Sequence, residues 1–108
     1  MFLSFLFSNK DHPISGKWID TDASPDGAQY GFILLPGGGA KSVNAASPQY
    51  TAWRRSGMTL TLWGRANNYN AAKADDKIDF IESLKIHRIT RDTLVLSRAE
   101  DVFVFNRG

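Results

Sequence analysis

From Gly16 onward, short stretches of alternating apolar and polar residues are separated by turn signals, and no window keeps a helical period long enough for a buried helix. The pattern predicts an all-β chain. Strands are expected at about 16–21, 29–35, 40–45, 49–55, 58–64, 77–90, 93–98 and 102–107. Pro36-Gly37-Gly38-Gly39 is the tightest turn, because glycine supplies the positive φ of a short hairpin. Ser56-Gly57, Arg91-Asp92 and Glu100-Asp101 mark three more, Asp22 to Ala28 is a first loop, and Ala66 to Asp76 is one long polar loop.

Residues paired across a hairpin share a face, so turn lengths choose the inside. A two-residue loop at Ser56-Gly57 would set Arg55 against Met58, Trp53 against Leu60 and Thr51 against Leu62, with Trp53 inward and Trp63 outward. A loop at Glu100-Asp101 would set Arg98 against Phe103, Leu96 against Phe105 and Leu94 against Arg107. Tyr30, Phe32 and Leu34 would match Ala45, Val43 and Lys41 across the glycine turn. In the long strand Ile78, Phe80, Glu82, Leu84, Ile86 and Arg88 share one parity. A two-residue loop at Arg91-Asp92 would instead bring Ile89 to the side of Leu94 and Leu96, a conflict that a three-residue loop removes.

The first strand, Ser15-Gly16-Lys17-Trp18-Ile19-Asp20, and the last, Val102 to Arg107, are expected to lie side by side and close the sheet. Gly16, Trp18 and Arg107 would form that closure, the guanidinium lying over the indole with a favourable energy of about 0.5–2 kcal/mol.

At 108 residues the chain makes one domain, divided as an N-terminal apolar segment and linker, 1–14, and a barrel, 15–108. With no cysteine, neither a disulfide frame nor a thiolate metal site is available. His12 and His87 stand far apart without an acidic cluster at ligand spacing, so no metal and no cofactor are expected. Thirteen Lys and Arg against eleven Asp and Glu are scattered, and the aromatics turn inward, so nucleic acid is not an expected partner. Met1 to Ser8 is apolar but too short to span a bilayer, and it lacks the basic start and small-residue cleavage site of a complete export signal. Two readings stay open for it: the remnant of such a signal, or a segment docked on the barrel or a partner.

The order Gly16-Lys17-Trp18, Gly31-Phe32-Ile33-Leu34 leading to Gly39-Ala40 and Val43-Asn44, Tyr50 to Trp53 with Gly57-Met58-Thr59-Leu60-Thr61-Leu62, Ile89 to Leu96, and the final Arg107 resembles the small bacterial lipocalin-like domains of the calycin superfamily. The resemblance covers roughly Ser15 to Arg107 and implies an up-and-down antiparallel β-barrel of about eight strands that binds small apolar molecules. Many such domains are exported, which would suggest the bacterial cell envelope or periplasm, but this chain lacks a lipobox cysteine and a complete signal.

On this reading the wall of a ligand cavity would be built from Tyr30, Phe32, Trp53, Leu60 and Phe80 on the early strands, and from Ile86, Arg88, Leu96, Phe103 and Phe105 on the late ones. Arg55 and Met58 would stand at its mouth. The same residues could equally fill the barrel, since an eight-stranded barrel either packs its own side chains or holds one small ligand. Arg55 and Arg88, both inward by parity, need partners. Either they clamp the acidic head of a ligand, or Arg88 pairs with Glu82 or both arginines reach for solvent at the barrel mouth, since buried charges are usually matched within the protein. No serine has a nucleophile-elbow context and Asp75-Asp76 reads as solvated turn, so the chain is not expected to be an enzyme. The leading expectation is noncatalytic binding of a small apolar or weakly acidic ligand. The alternative is a filled barrel that associates with itself or another protein, as a homodimer through Met1 to Ser8, Tyr50 and Trp63.

Overall fold

A computed structural model of the chain describes residues 13–22, 28–44, 48–67 and 77–108. Met1 to Ser8, His12, most of the first loop and Asn68 to Asp76 of the long polar loop lie outside the described residues. Eight strands follow one another: β1 (Gly16–Asp20), β2 (Gly31–Leu34), β3 (Ala40–Val43), β4 (Gln49–Ser56), β5 (Thr59–Asn67), β6 (Lys77–Ile89), β7 (Thr93–Arg98) and β8 (Asp101–Arg107). They form one antiparallel sheet in the order β3-β2-β1-β8-β7-β6-β5-β4, rolled into a nearly closed barrel.

Strands β1 and β8 pair as the first and last strands were expected to, with Trp18 opposite Arg107 and Asp20 opposite Phe105. Trp18 is completely buried, and its Nε1 donates to the Ile14 carbonyl at 2.7 Å, so the one polar atom of the ring is satisfied inside. Arg107 lies over the indole with its guanidinium carbon 4.1 Å from the ring centroid. It donates from Nε to Arg91 O at 2.7 Å, from Nη1 to Ser15 O at 2.8 Å and from Nη2 to Pro13 O at 3.2 Å. Gly16 leaves room for it, because a Cβ there would sit 2.5 Å from Nη1.

Three hairpins close differently from the sequence expectation, each for a local reason. The turn after β4 is Gly57-Met58, not Ser56-Gly57: Gly57, at φ 58°, takes the first turn position, so Ser56 faces Thr59, Arg55 faces Leu60 and Trp53 faces Leu62. At the glycine turn Leu35 N donates to Gly39 O, which makes a three-residue loop with Gly37 and Gly38 at positive φ. Phe32 therefore faces Ser42 and Leu34 faces Ala40, in place of Val43 and Lys41. The last hairpin turns at Ala99-Glu100, which sets Arg98 against Asp101, Leu96 against Phe103 and Leu94 against Phe105. This slip is two residues, so the inward set survives.

Two bulges change which residues point inward. Between Tyr50 and Ala52 the β4 register steps by one, so Tyr50 pairs with Gly64 and turns inward while Thr51 is the extra residue. Between Ile86 and Arg88 the β6 register steps again, with Ile86 opposite Leu96, Arg88 opposite Val95 and Ile89 opposite Leu94. Ile86 and Ile89 are thus both buried, at 1% and 4% exposure, and Arg88 is thrown outward. The loop Arg91-Asp92 keeps its two-residue length, closed by Thr90 N to Thr93 O at 2.8 Å, because the bulge absorbs the parity conflict.

The closed end of the barrel is filled by Trp18, Leu34, Leu60, Ile86 and Leu94, all fully buried. On the sheet's open side β3 and β4 meet along a seam with little backbone pairing. Gly39 bridges Ala52, Trp53 N donates to Gly38 O at 2.9 Å, and Trp53 Nε1 donates to Leu35 O at 2.8 Å. Beyond these, Ser42 Oγ joins the edges, accepting from Tyr50 N at 2.9 Å and donating to Pro48 O at 2.8 Å. A side chain here does what a strand partner does elsewhere.

Candidate functional site

A cavity of about 280 Å³ opens at the end of the barrel opposite the Trp18–Arg107 closure. Its apolar wall is made by Phe32, Tyr50, Leu62, Leu84, Leu96, Phe103 and Phe105, with Tyr30, Asp20, Ser42 and Pro48 around the rim. The strands converge on it for a simple reason. Aromatic residues fall at the inward positions of β2, β4 and β8 near the open end, while Trp18, Leu34, Leu60, Ile86 and Leu94 fill the closed end. The rings hold one another: Phe32 stands edge-on to Tyr50 at 5.9 Å, Tyr50 edge-on to Phe80 at 5.9 Å, and Phe32 tilts against Phe105 at 4.9 Å. Such contacts fix wall positions as well as adding about 0.5–1.5 kcal/mol per pair.

One charged pair enters this wall, Arg98 with Glu82, joined by Nη1 and Oε2. Glu82 is the more enclosed, its side chain 19% exposed against 52% for Arg98. The Arg98 guanidinium also lies 5.9 Å from the Phe103 centroid. Burial raises the Tyr50 hydroxyl above its ordinary pKa, and the Arg98 charge pulls against that rise. Asp20 adds a second carboxylate at the rim, where its Oδ1 accepts from Asp22 N at 2.9 Å.

The expected wall residues divide between the two ends. Tyr30, Phe32, Leu96, Phe103 and Phe105 line the cavity, Tyr30 as a rim residue at 38% exposure. Leu60 and Ile86 are fully buried in the closed end, and Trp53 packs against the core beside the seam; none of the three touches the cavity. Phe80 is drawn aside over Gly64, where a Cβ would come within 2.8 Å of its ring, and supports Tyr50 from behind.

The charged and mouth residues require correction. Arg88 is exposed on the outer wall because of the bulge before it, so it neither lines the cavity nor meets Glu82; Arg98 is the partner. Arg55 and Met58 sit at the Gly57-Met58 turn, at the far end from the opening. There Arg55 Nε donates to Gly57 O at 2.8 Å, Nη2 lies 3.6 Å from Met58 Sδ, and Met58 is 43% exposed. Tyr50, expected outside beside Trp63, is inside, so these two cannot share a surface patch. Trp63 does face outward, half-buried opposite Ala52 and Ile81.

Sequence reasoning missed Arg98, Glu82, Leu84 and Leu62 as a group. The available signal was a glutamate in the middle of an inward apolar row, which demands a cation on a neighbouring strand. Ser42, also missed, has its hydroxyl committed to Pro48 and Tyr50 and is poorly placed to act as a nucleophile. His87 and Ser97 do approach, Nε2 to Oγ at 2.6 Å, but on the outer wall and not among the residues that line the cavity.

The comparisons agree with this geometry. The family model described as "Lipocalin-like" matches residues 10–108. Among solved structures, a lipocalin-like protein from Bacteroides thetaiotaomicron VPI-5482 is 28% identical, with a TM-score of 0.76 over 89% of this chain and 97% of that one. No curated protein matches the chain. An eight-stranded barrel closed by a Trp–Arg stack, with a binding-type interior and a family match over nearly its whole length, belongs to the lipocalin-like family.

Proposed function

We propose that this barrel is a noncatalytic binding protein that takes one small, largely apolar molecule into the cavity between Phe32, Tyr50, Phe103 and Phe105. The carrying observation is the space itself. At about 280 Å³ it lies close to the lower end of small-molecule pockets, about 300 Å³, and its walls are mainly hydrocarbon and ring. A space of this size suits a compact molecule better than a long acyl chain. Each buried CH₂ contributes about 0.8 kcal/mol. The polar end of a ligand is served by Arg98 and Glu82, in the role that parity had given to Arg88 or Arg55.

Titration calorimetry with toluene, and mass spectrometry of molecules extracted from the purified full chain, test the reading. Saturable binding with one site per chain is expected. No heat and no protection against unfolding from toluene, together with an empty extract, would overturn it. The self-association reading loses the Tyr50 half of its patch and has no comparable observation behind it.

A further inference from the structure

Every ion in the cavity wall bears on what kind of polar group a ligand can carry. The described wall has two carboxylates, Asp20 and Glu82, and one guanidinium, Arg98, already joined to Glu82. A ligand carboxylate that reached the remaining N–H groups of Arg98 would share the guanidinium with Glu82 and lie beside its like charge. Two carboxylates would then crowd one cation where Glu82 is only 19% exposed, among Leu84, Leu96 and Phe103. Like charges repel more strongly where water is partly excluded, so the second carboxylate is disfavoured.

An uncharged group has no such penalty. The pair uses Nη1 of Arg98 and Oε2 of Glu82, so Glu82 Oε1 and the other guanidinium N–H groups present an acceptor beside donors. A primary amide, or a hydroxyl, meets both at once without separating the ions. The ring-built wall of Phe32, Tyr50, Phe103 and Phe105 suits an aromatic body, since ring edges and faces are already set at edge-on and tilted angles.

Resting on the binding reading above, we propose that the cavity selects a small uncharged aromatic molecule whose one polar group both donates and accepts, and that the Glu82–Arg98 pair disfavours the corresponding carboxylate. Glu82 is then a specificity residue. It holds Arg98 as a neutral pair and prevents the barrel from acting as an acid binder.

Four probes of nearly equal size make the test: toluene, benzamide, benzyl alcohol and benzoate, titrated into the full chain at pH 7. Backbone amide shifts of Leu96, Arg98 and Phe103 report the site. Benzamide is expected to bind at least ten-fold more tightly than benzoate, with benzyl alcohol between toluene and benzamide. In E82Q, which keeps the shape and removes the competing charge, the affinity for benzoate relative to toluene should rise at least ten-fold. Benzoate binding as well as benzamide in the native chain, or no gain for benzoate in E82Q with toluene still bound, would overturn the selectivity and leave the binding reading standing. If toluene does not bind either, both readings fall together.

Discussion

Replacing Arg107 by methionine removes the guanidinium while keeping most of the side-chain hydrocarbon over Trp18. Three donations end with it, to Arg91, Ser15 and Pro13, together with the stack at 4.1 Å. The two shorter bonds, at 2.7 and 2.8 Å, contribute about 1 kcal/mol each once water is allowed to reach the freed carbonyls. The stack adds about 1 kcal/mol, and the 3.2 Å bond counts for little. The total, about 3 kcal/mol, is a large part of the ~5–15 kcal/mol that holds a domain folded. In a chain of this size it corresponds to a fall of about 12–24 °C in Tm. Urea unfolding followed by tryptophan fluorescence measures it directly. Arg107→Lys is the control, because an ammonium keeps the charge but cannot present the fork that reaches three carbonyls, so it should recover only a minor share. A methionine variant within about 0.5 kcal/mol of the native chain, or a lysine variant as stable as arginine, would refute the account of the closure.

Gly31→Ala places a Cβ on the Trp18 carbonyl oxygen and 3.0 Å from Ile19 Cα, so β1 and β2 must part; a loss of about 2–3 kcal/mol in urea unfolding is expected, and under 1 kcal/mol would contradict the packing. Deleting His87 should heal the β6 bulge with Ile86–Leu96 and Ile89–Leu94 still paired, leaving the chain folded, whereas deleting Ser83 from the regular stretch should turn the preceding inward residues outward and unfold it; equal damage from both deletions would sink the bulge assignment. Because burial raises Tyr50 above its ordinary 10.0, the unfolded chain releases that proton first, so stability is full below pH 10 and falls as pH rises through the higher folded value. Tyr50→Phe should remove that part of the alkaline loss, and an unchanged pH profile of the unfolding midpoint would count against it.

What the sequence revealed and concealed follows from the physics of each feature. Eight strands were legible because β-branched and aromatic stretches alternate with glycine, proline and Asp turns, and the β1–β8 closure because Gly16, Trp18 and Arg107 each have a strong preference for one kind of place. The hairpin register was off by two at Gly57-Met58 and by one at Gly37-Gly38, since composition marks a turn without saying which residue takes the positive φ. The bulges at Thr51 and His87 left no trace in the polarity pattern, yet they decide that Tyr50 points in and Arg88 points out. Arg98 was hidden for a related reason: it stands at the end of a strand, beside a turn rich in charge, where exposure is the ordinary expectation.

The strand order has a consequence for the route by which the chain folds. Every neighbouring pair except β1–β8 is a hairpin between consecutive strands, whereas the Arg107–Ser15 contact joins positions 92 residues apart. Two local meanders, β1 to β3 and β4 to β8, can therefore assemble independently, and their union at the Trp18–Arg107 stack carries nearly all of the ring-closure entropy. Closure of the barrel by these side chains is then the expected slow step of its formation. Substitutions there should retard refolding, while those at the β3–β4 seam should mainly hasten opening.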